Sequence, residues 1–369
     1  MTKQLKLVAA NDAFSVLMTL SDVLAGKVAL FVTAPEVNGL MPEVHGLPES
    51  VDDEIALIVE SSGSTGVPKR IPVTLSQLTA SAQASAERLY QKPEPGRNQW
   101  LLALPTNYIA GLNVLVRSLF AETQPILMNS ALPFSAEGFA RSASLMTGAQ
   151  RFTSLVPAQL NKLAAAAMFD DFVLSQLRSF DAILVGGQAV PASTVSSLRD
   201  LGVTIVETYG STETVGGCVY DGEPLGGIEL DLVDGRIRIR GAVASGGEVL
   251  TNDLGEFDEA GRLRVLGRAD RVVISGGLKV ALERVESLAA LVNGVEDCAA
   301  TAIEDAQWGQ RVAIVYQGSP EVADSIAAEL ADTLGPAGRP VRVVRVDRIP
   351  KLSSGKTDLQ SVAALFKEI

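Results

Sequence analysis

The sequence predicts an α/β protein with a large N-terminal domain of sheets and helices and a small α+β domain behind it. Three observations carry that prediction. A chain of 369 residues exceeds what one hydrophobic core sustains, so two cores are expected. Between Ile55 and Thr214, short apolar runs alternate with stretches of helical periodicity, the pattern of a parallel sheet with helices packed on it. After Gly226 the texture changes: 228-IELDLVDGRIRIRG-241 alternates apolar and polar residues about Asp234-Gly235, the strongest hairpin signal in the chain. The line between the domains is drawn at Arg268, giving 1–268 and 269–369, and the latter, about a hundred residues, is long enough for a small core.

Along the chain, residues 11–25 fit an amphipathic helix capped by Asn11, with Phe14, Leu17, Met18 and Leu24 on one stripe and Gly26 ending it. Val28–Val32 reads as a strand, 34–52 as a proline-bearing connection and Ile55–Val59 as a buried strand. After a Ser/Gly loop, 70–74 is a strand, and a helix over 75–91 opens with capping-box spacing from Thr74 to Gln77. The run 100-WLLALPTNYIAGLNVLVRSLF-120 gives a strand, a turn opened by Pro105 and an apolar helix. A strand at 125–129 and helices at 136–147 and 157–168 follow, with Pro157 suited to a first helical turn. Residues 182–214 read as strand, Gly-rich turn, helix, strand and a second polar turn. A second hairpin spans 256–267. From Asp270 the order is strand, helix (281–292), strands (296–303, 311–316), helix (321–334) and strand (341–346).

Composition excludes several functions. With 31 basic and 43 acidic residues the net charge is −12, which argues against nucleic acid or anionic membrane as the main partner. No apolar run is long enough to span a membrane, and the start lacks the apolar core of a signal peptide. Cys218 and Cys298 are far apart with no CxxC, so the expected location is the reducing cytoplasm. His45 is the single histidine and sits in a Pro/Gly-rich loop, expected at the surface. A histidine-rich zinc site is therefore ruled out, and chemistry must rest on carboxylates, lysines, arginines, hydroxyls and backbone amides.

Sheets of this kind bind ligands beyond the carboxyl ends of their strands, and several polar stretches fall there. In 61-SSGSTGVPKR-70, Gly63 and Gly66 let backbone approach an anion, Ser61, Ser62, Ser64 and Thr65 bring hydroxyls, and Lys69 brings charge. It is not a Walker A loop, because Pro68 and Arg70 stand where that motif needs glycine and a hydroxyl. Taken alone, a polar turn between strands fits the same composition. In 209-YGSTET-214, Glu213 follows a strand end, and a lone carboxylate is the usual protein ligand of Mg²⁺ beside phosphates; a surface turn is the other reading. Asp253 lies in a polar turn, where it either stabilises the turn or accepts both hydroxyls of a ribose. Lys356, in 353-SSGKTD-358, is either an exposed loop lysine or a cation delivered by a flexible loop.

Taken together, these stretches resemble the adenylate-forming superfamily of acyl-CoA synthetases, firefly luciferase and peptide-synthetase adenylation domains. Residues 61–69 match its phosphate loop, 209–214 its Tyr-Gly-x-Thr-Glu motif and 251-TND-253 its Thr-Gly-Asp. The segment 267-GRADRVVISGG-277 matches the crossing between domains, and 349-IPKLSSGKTD-358 the loop of the catalytic lysine. The resemblance implies the adenylate-forming enzyme fold, with a mobile C-terminal domain that carries Lys356. It implies that Ser61, Ser62, Gly63, Ser64, Thr65, Gly66 and Lys69 grip ATP phosphates, and that Glu213 and Thr65 serve Mg²⁺. Gly186, Gly187, Gln188, Thr208, Tyr209 and Gly210 would line the nucleotide, with Tyr209 on adenine and Thr212 at the α-phosphate. Asp253 and Arg268 would hold the ribose, Asp270 would be the hinge, and Ser275, Gly276 and Gly277 would line a channel for CoA. The acid would meet Asn107, Tyr108, Gly111, Gly187 and Gly210.

Sixty residues precede Ser61, where most relatives carry a further subdomain. This shortness, and the Pro-x-x-x-Ile-Ala-Gly-Leu stretch at 105–112, resemble the compact o-succinylbenzoate–CoA ligases of menaquinone biosynthesis, particularly those of actinobacteria. The implied reaction joins a carboxylic acid to CoA through an acyl-adenylate, with ATP, CoA and the acid as partners; a homodimer is compatible with the sequence. The sequence departs from the family at Lys279, Leu282 and Arg284, so CoA contacts there are not carried over. Arg117 and Arg151 are candidates for the acid's second carboxylate, with structural ion pairing as the alternative for each. A ligase for another aryl or medium-chain acid, an acyl-AMP ligase that loads a carrier protein, and a silent nucleotide-binding homologue are the other readings.

Overall fold

The computed structural model describes residues 1–61, 69–92, 94–129, 132–352 and 356–367. Ser62, Gly63, Ser64, Thr65 and Gly66 of the expected phosphate loop lie outside the described residues. By internal packing the chain forms two units, Met1–Leu230 with Ile239–Val249, and Asp231–Arg238 with Leu250–Ile369. No helix among the described residues is long and apolar enough to cross a membrane.

The first unit opens with β1 (Thr2–Ala9), α1 (Ala13–Leu24), β2 (Ala29–Thr33), β3 (Ser50–Asp52), β4 (Ile55–Ser61) and β5 (Lys69–Thr74). These strands form a sheet in the order β3-β1-β2-β4-β5, with β1, β2 and β4 parallel and the two edge strands antiparallel. β1 was not expected, since its mixed polarity hides a two-residue alternation of buried and exposed positions. On α1 the cap is Asp12, whose carboxylate accepts from the Ser15 amide at 3.0 Å, while Asn11 accepts from the amide of Glu36 instead. The buried stripe of α1 is Val16, Leu20 and Val23, and Phe14 and Met18 face solvent. The apolar pattern of this helix has two faces, and the more branched residues took the core.

The second sheet is built from α2 (Leu75–Leu89), β6 (Asn98–Leu102), α3 (Ile109–Phe120), β7 (Ile126–Leu127), α4 (Ala136–Ser144), β8 (Gln150–Leu155), α5 (Pro157–Ala167), α6 (Asp171–Arg178), β9 (Ala182–Gly186), α7 (Ala192–Asp200), β10 (Ile205–Ser211), β11 (Gly216–Tyr220) and β12 (Glu223–Pro224). Its order is β12-β11-β10-β9-β8-β6-β7. The capping box of Thr74 and Gln77 forms at the start of α2 as expected. Strands β7, β6, β8, β9 and β10 are parallel, and the central strand β9 is buried on both faces, which is why 182-AILV-185 reads as unbroken apolar sequence. Leu101, Phe139, Leu155, Leu160, Leu177, Ile183 and Leu198 knit α4 to α7 onto this sheet. Beyond the parallel stretch read from the sequence, β11 returns antiparallel to β10. No helix is needed for that return, so sequence periodicity gave no sign of a crossover. The chain enters at β6, steps to β7, and comes back on the other side at β8, which makes β6/β8 the topological switch point.

Next come β13 (Ile228–Val233), β14 (Arg236–Gly241), β15 (Glu248–Phe257) and β16 (Leu263–Arg268), a four-stranded sheet in that order. Asp234 and Gly235 have φ of 52° and 77°, the left-handed pair that a two-residue hairpin turn needs. The remainder of the second unit comprises β17 (Val272–Ser275), β18 (Leu278–Ala281), α8 (Leu282–Ala289), β19 (Val295–Asp305), β20 (Gly309–Gly318), α9 (Ala323–Leu334), β21 (Arg342–Arg345) and α10 (Leu359–Ala364). Alternate residues of the long β19–β20 hairpin serve two cores. Ala300, Val312, Ile314 and Tyr316 meet α8 and α9, and Ala299, Ala313 and Val315 meet Ile349 and α10.

Candidate active site

In the first unit the candidate residues sit at strand ends of two sheets. β4 ends at Ser61 and β5 begins at Lys69, and these two residues are register partners, with the Ser61 hydroxyl donating to the Lys69 carbonyl at 3.4 Å. The expected phosphate loop is thus closed at its neck by an antiparallel pair. At the end of β9, Gly186 is pressed against β10: a Cβ there would lie 2.3 Å from Thr208 Oγ1. That hydroxyl donates to the Val185 carbonyl at 3.2 Å. Gly187, at φ +84°, and Gln188 are exposed beyond this edge. Tyr209 and Gly210 belong to β10 and not to a turn; the ladder to β11 shifts register between them. A Cβ on Gly210 would come within 2.0 Å of the Gly216 carbonyl, so only glycine fits that bulge.

The stretch 212–214 is one turn of 3-10 helix that carries Thr212 and Glu213. Thr214 is fully buried and braces it, accepting from the Ser211 amide at 2.9 Å and donating to carbonyls on either side. Glu213 is half-buried and pairs with no hydrogen-bond donor or cation among the described residues. No group of three or more His, Cys, Asp or Glu able to hold a metal occurs among them either. One uncommitted carboxylate at a strand end suits Mg²⁺, which keeps waters and phosphate oxygens as its other ligands. At the β6/β8 switch point, Gln159 of α5 accepts from the Val156 amide and donates to the Ala103 carbonyl, tying the two loops together. Asn107 and Tyr108 follow Pro105 there, and the Asn107 Oδ1 is buried without a partner. Gly111 lets the first turn of α3 pass under this loop, since a Cβ would sit 2.1 Å from the Pro105 carbonyl oxygen.

In the second unit, Asp253 lies in β15 and not in a polar turn, directly opposite Arg268 of β16. Arg268 binds Asp270 through two bonds of 2.7 and 2.6 Å and approaches Asp253 at 3.5 Å. The Arg268 bonds hold the Asp270 carboxyl below the usual range, and Asp270 in turn raises the guanidinium. Ser275 is fully buried with its hydroxyl unpartnered, whereas Gly276 and Gly277 form the exposed turn between β17 and β18. Gly276 lies flat under Trp308, 2.6 Å from its ring if a Cβ were present. Lys356 is exposed. Its loop is pinned at the neck by the Lys351–Thr357 bridge and by the Lys356 carbonyl, which accepts from the Leu352 amide at 2.8 Å.

Residues 5–249 match the model of the AMP-binding enzyme and residues 284–356 that of its C-terminal domain. The chain belongs to the AMP-binding enzyme family. A probable 2-succinylbenzoate–CoA ligase of Mycobacterium tuberculosis is 36% identical, over 97% of both chains. A 2-succinylbenzoate–CoA ligase of Lactococcus lactis is 28% identical over 91% of this chain and 77% of that one. The solved o-succinylbenzoate CoA synthetase from Bacillus subtilis, in complex with its acyl-adenylate intermediate, superposes with a TM-score of 0.76. It covers 98% of this chain and 88% of its own at 21% identity, a likeness of fold. The fold is that of the adenylate-forming enzymes, as the motifs implied.

Within this AMP-binding enzyme, two residues named as partners for a second carboxylate are already committed. Arg117 is buried, lies 5.1 Å from the Trp100 ring and donates to the Tyr220 hydroxyl at 3.1 Å. Arg151 donates to the Gly148 carbonyl and the Ser179 hydroxyl. Sequence reasoning passed over Asn113, Ser81 and Val215, which meet beside the Glu213 turn. The signal was there for Asn113, a lone amide inside the apolar run 109-IAGLNVLV-116. Nothing local announced that Val215 adopts φ +54°.

Proposed function

We propose that this chain is an ATP-dependent ligase that joins o-succinylbenzoate to CoA in two steps, serving menaquinone biosynthesis. The observation that carries the reading is the end-to-end likeness to a probable 2-succinylbenzoate–CoA ligase, 36% identical over 97% of each chain. In the first step an acid carboxylate oxygen bonds to the α-phosphorus of ATP and pyrophosphate leaves. In the second the CoA sulfur bonds to the acyl carbon, AMP leaves, and the thiol proton passes to solvent.

Both reactants of the first step are anions, so the barrier is electrostatic, and fixed donors and cations lower it. The loop from Ser61 to Lys69 holds the β- and γ-phosphates. Tyr209 packs on adenine beside Gly186 and Gly187, Asp253 takes the ribose hydroxyls with Arg268 beside it, and Thr212 donates to the α-phosphate. Bound Mg²⁺, held by Glu213 with Thr65, supplies positive charge at the phosphate oxygens. Lys356 neutralises the reacting centre. We place the pivot between steps at Asp270, with 1–268 carrying ATP and acid and 269–369 carrying Lys356; Gly276 and Gly277 then face the thiol's path. Asn107, Tyr108 and Gly111 bind the acid at the switch point.

The test is an ATP- and CoA-dependent thioester assay over a panel of aryl and aliphatic acids. o-Succinylbenzoate is expected to turn over fastest and to release AMP. Turnover of another acid with none of o-succinylbenzoate would discard the substrate and keep the reaction.

A further inference from the structure

Val215 is a β-branched residue at φ +54°, ψ +39°, a conformation that costs such a residue about 1–3 kcal/mol and persists only where its surroundings hold it. It is fully buried, and its carbonyl receives two side-chain donors from two different helices. Asn113 Nδ2 of α3 donates at 2.7 Å and Ser81 Oγ of α2 at 3.3 Å. Asn113 and Ser81 are both buried, 4% and 3% exposed, so neither bond competes with water. The next residue, Gly216, is glycine for the same reason: a Cβ at its φ of +88° would lie 2.6 Å from Asn113 Nδ2. Ile109, one helical turn before Asn113, touches the same spot. The clamp therefore grips the residue that directly follows the turn of Thr212, Glu213 and Thr214, and links that turn to the helix whose first residues border the acid site.

We propose that Asn113, seconded by Ser81, is a positioning residue for adenylate formation. It holds Val215 in the left-handed conformation and so fixes the height and direction at which the 212–214 turn presents Glu213 and Thr212. The inference rests on the functional reading above, and its tests separate the two. Asn113→Leu keeps the side-chain size and removes the donor. Displacing a group by about an ångström costs on the order of 100-fold in rate, and that loss is expected in o-succinylbenzoyl-adenylate formation. Calorimetry should show Mg·ATP affinity falling about tenfold, while affinity for ATP in excess EDTA changes less than about threefold, since the turn acts through the metal-bound phosphates. Ser81→Ala, which removes the longer bond, is expected to give about two- to fivefold losses of the same kind.

The decisive variant is Asn113→Leu/Val215→Gly. Glycine adopts φ above zero without help, so adenylate formation should recover about tenfold, although melting temperature drops further as buried valine contacts are lost. A merely structural role for Asn113 would move stability and activity down together. The proposal is overturned if the double variant loses both, or if Asn113→Leu retains wild-type Mg·ATP affinity and adenylate formation. Where Asn113→Leu does not fold, unchanged Mg·ATP affinity in Ser81→Ala overturns it. Absence of any acyl-adenylate from the wild-type enzyme would sink the function instead, and the Mg·ATP titrations would still decide the clamp.

Discussion

Asp253 and Arg268 face one another across β15 and β16, and Arg268 is shared between Asp253 and Asp270. A ribose that binds Asp253 therefore enters a set of charges already in place, needing little rearrangement. Hydrogen bonds to a charged group contribute about 1.5–3 kcal/mol, so Asp253→Ala should weaken Mg·ATP binding about tenfold or more by calorimetry. Unchanged affinity would remove Asp253 from the nucleotide site. Both residues were candidates in the sequence because each stands within a short ordered motif, although Asp253 was read in a turn and lies in β15. The bidentate bond from Arg268 to Asp270 was not legible, although the two are only two residues apart, since it depends on the turn at 269–271 aiming both side chains the same way. Asn113 was passed over although it is a lone amide in an apolar helix, and nothing in the sequence pointed to its partner, over a hundred residues on.

Among the elements, α8 shows how ion pairing and burial trade against each other. Arg271 binds both oxygens of Glu286, one oxygen of Glu283 and the Ala300 carbonyl, and Glu286 also accepts from the Ala300 amide. Breaking such a half-buried pair leaves a charge uncompensated, so Glu286→Ala should lower stability by about 3 kcal/mol in urea unfolding. Glu283 differs. Its second oxygen is buried without a partner against Gly267, and desolvation raises its pKa despite the nearby Arg271. A carboxyl raised in the folded state favours folding at low pH, and that contribution is lost as pH climbs from the unfolded value, about 4.3, through the folded one. Glu283→Gln should therefore be more stable than the parent at pH 7, with the difference vanishing near pH 4. Asp270 has the opposite sign: its lowered carboxyl stabilises above about pH 3.9 and loses that contribution as acid protonates it. Most elements were readable from periodicity and caps. β1, β3, β8, β11, β12, β18, α6 and α10 were missed because their patterns are short or mixed, and α1 turned its second apolar stripe inward because packing against the sheet outweighed the choice between two similar faces.

For the whole molecule, the two units carry separate cores, and the two half-reactions should be separable as well. Lys356→Ala is expected to slow adenylate formation about 10²–10³-fold, as loss of a transition-state donor does. Thioester formation from pre-made acyl-adenylate should change far less. Equal losses in a stopped-flow comparison of the two steps would sink the assignment of Lys356 to the first step alone. The two-domain plan was visible in length and texture, while the mixed direction of the second sheet was not, because a five-residue return strand leaves no helical period to read. That return strand also governs how such an enzyme can diversify. The 187–191 loop leaves β9 for α7, and it can lengthen while the sheet beneath stays intact. The 212–215 turn is stitched to one sheet at both ends and gripped from two helices between them. Inserting one or two residues at 189–190, beyond the nucleotide-lining Gly186, Gly187 and Gln188, should leave a folded, ATP-binding protein with altered acid preference, whereas the same insertion at 212–215 should abolish nucleotide binding. New substrates would then be acquired at one loop while the chemistry stays frozen in its neighbour.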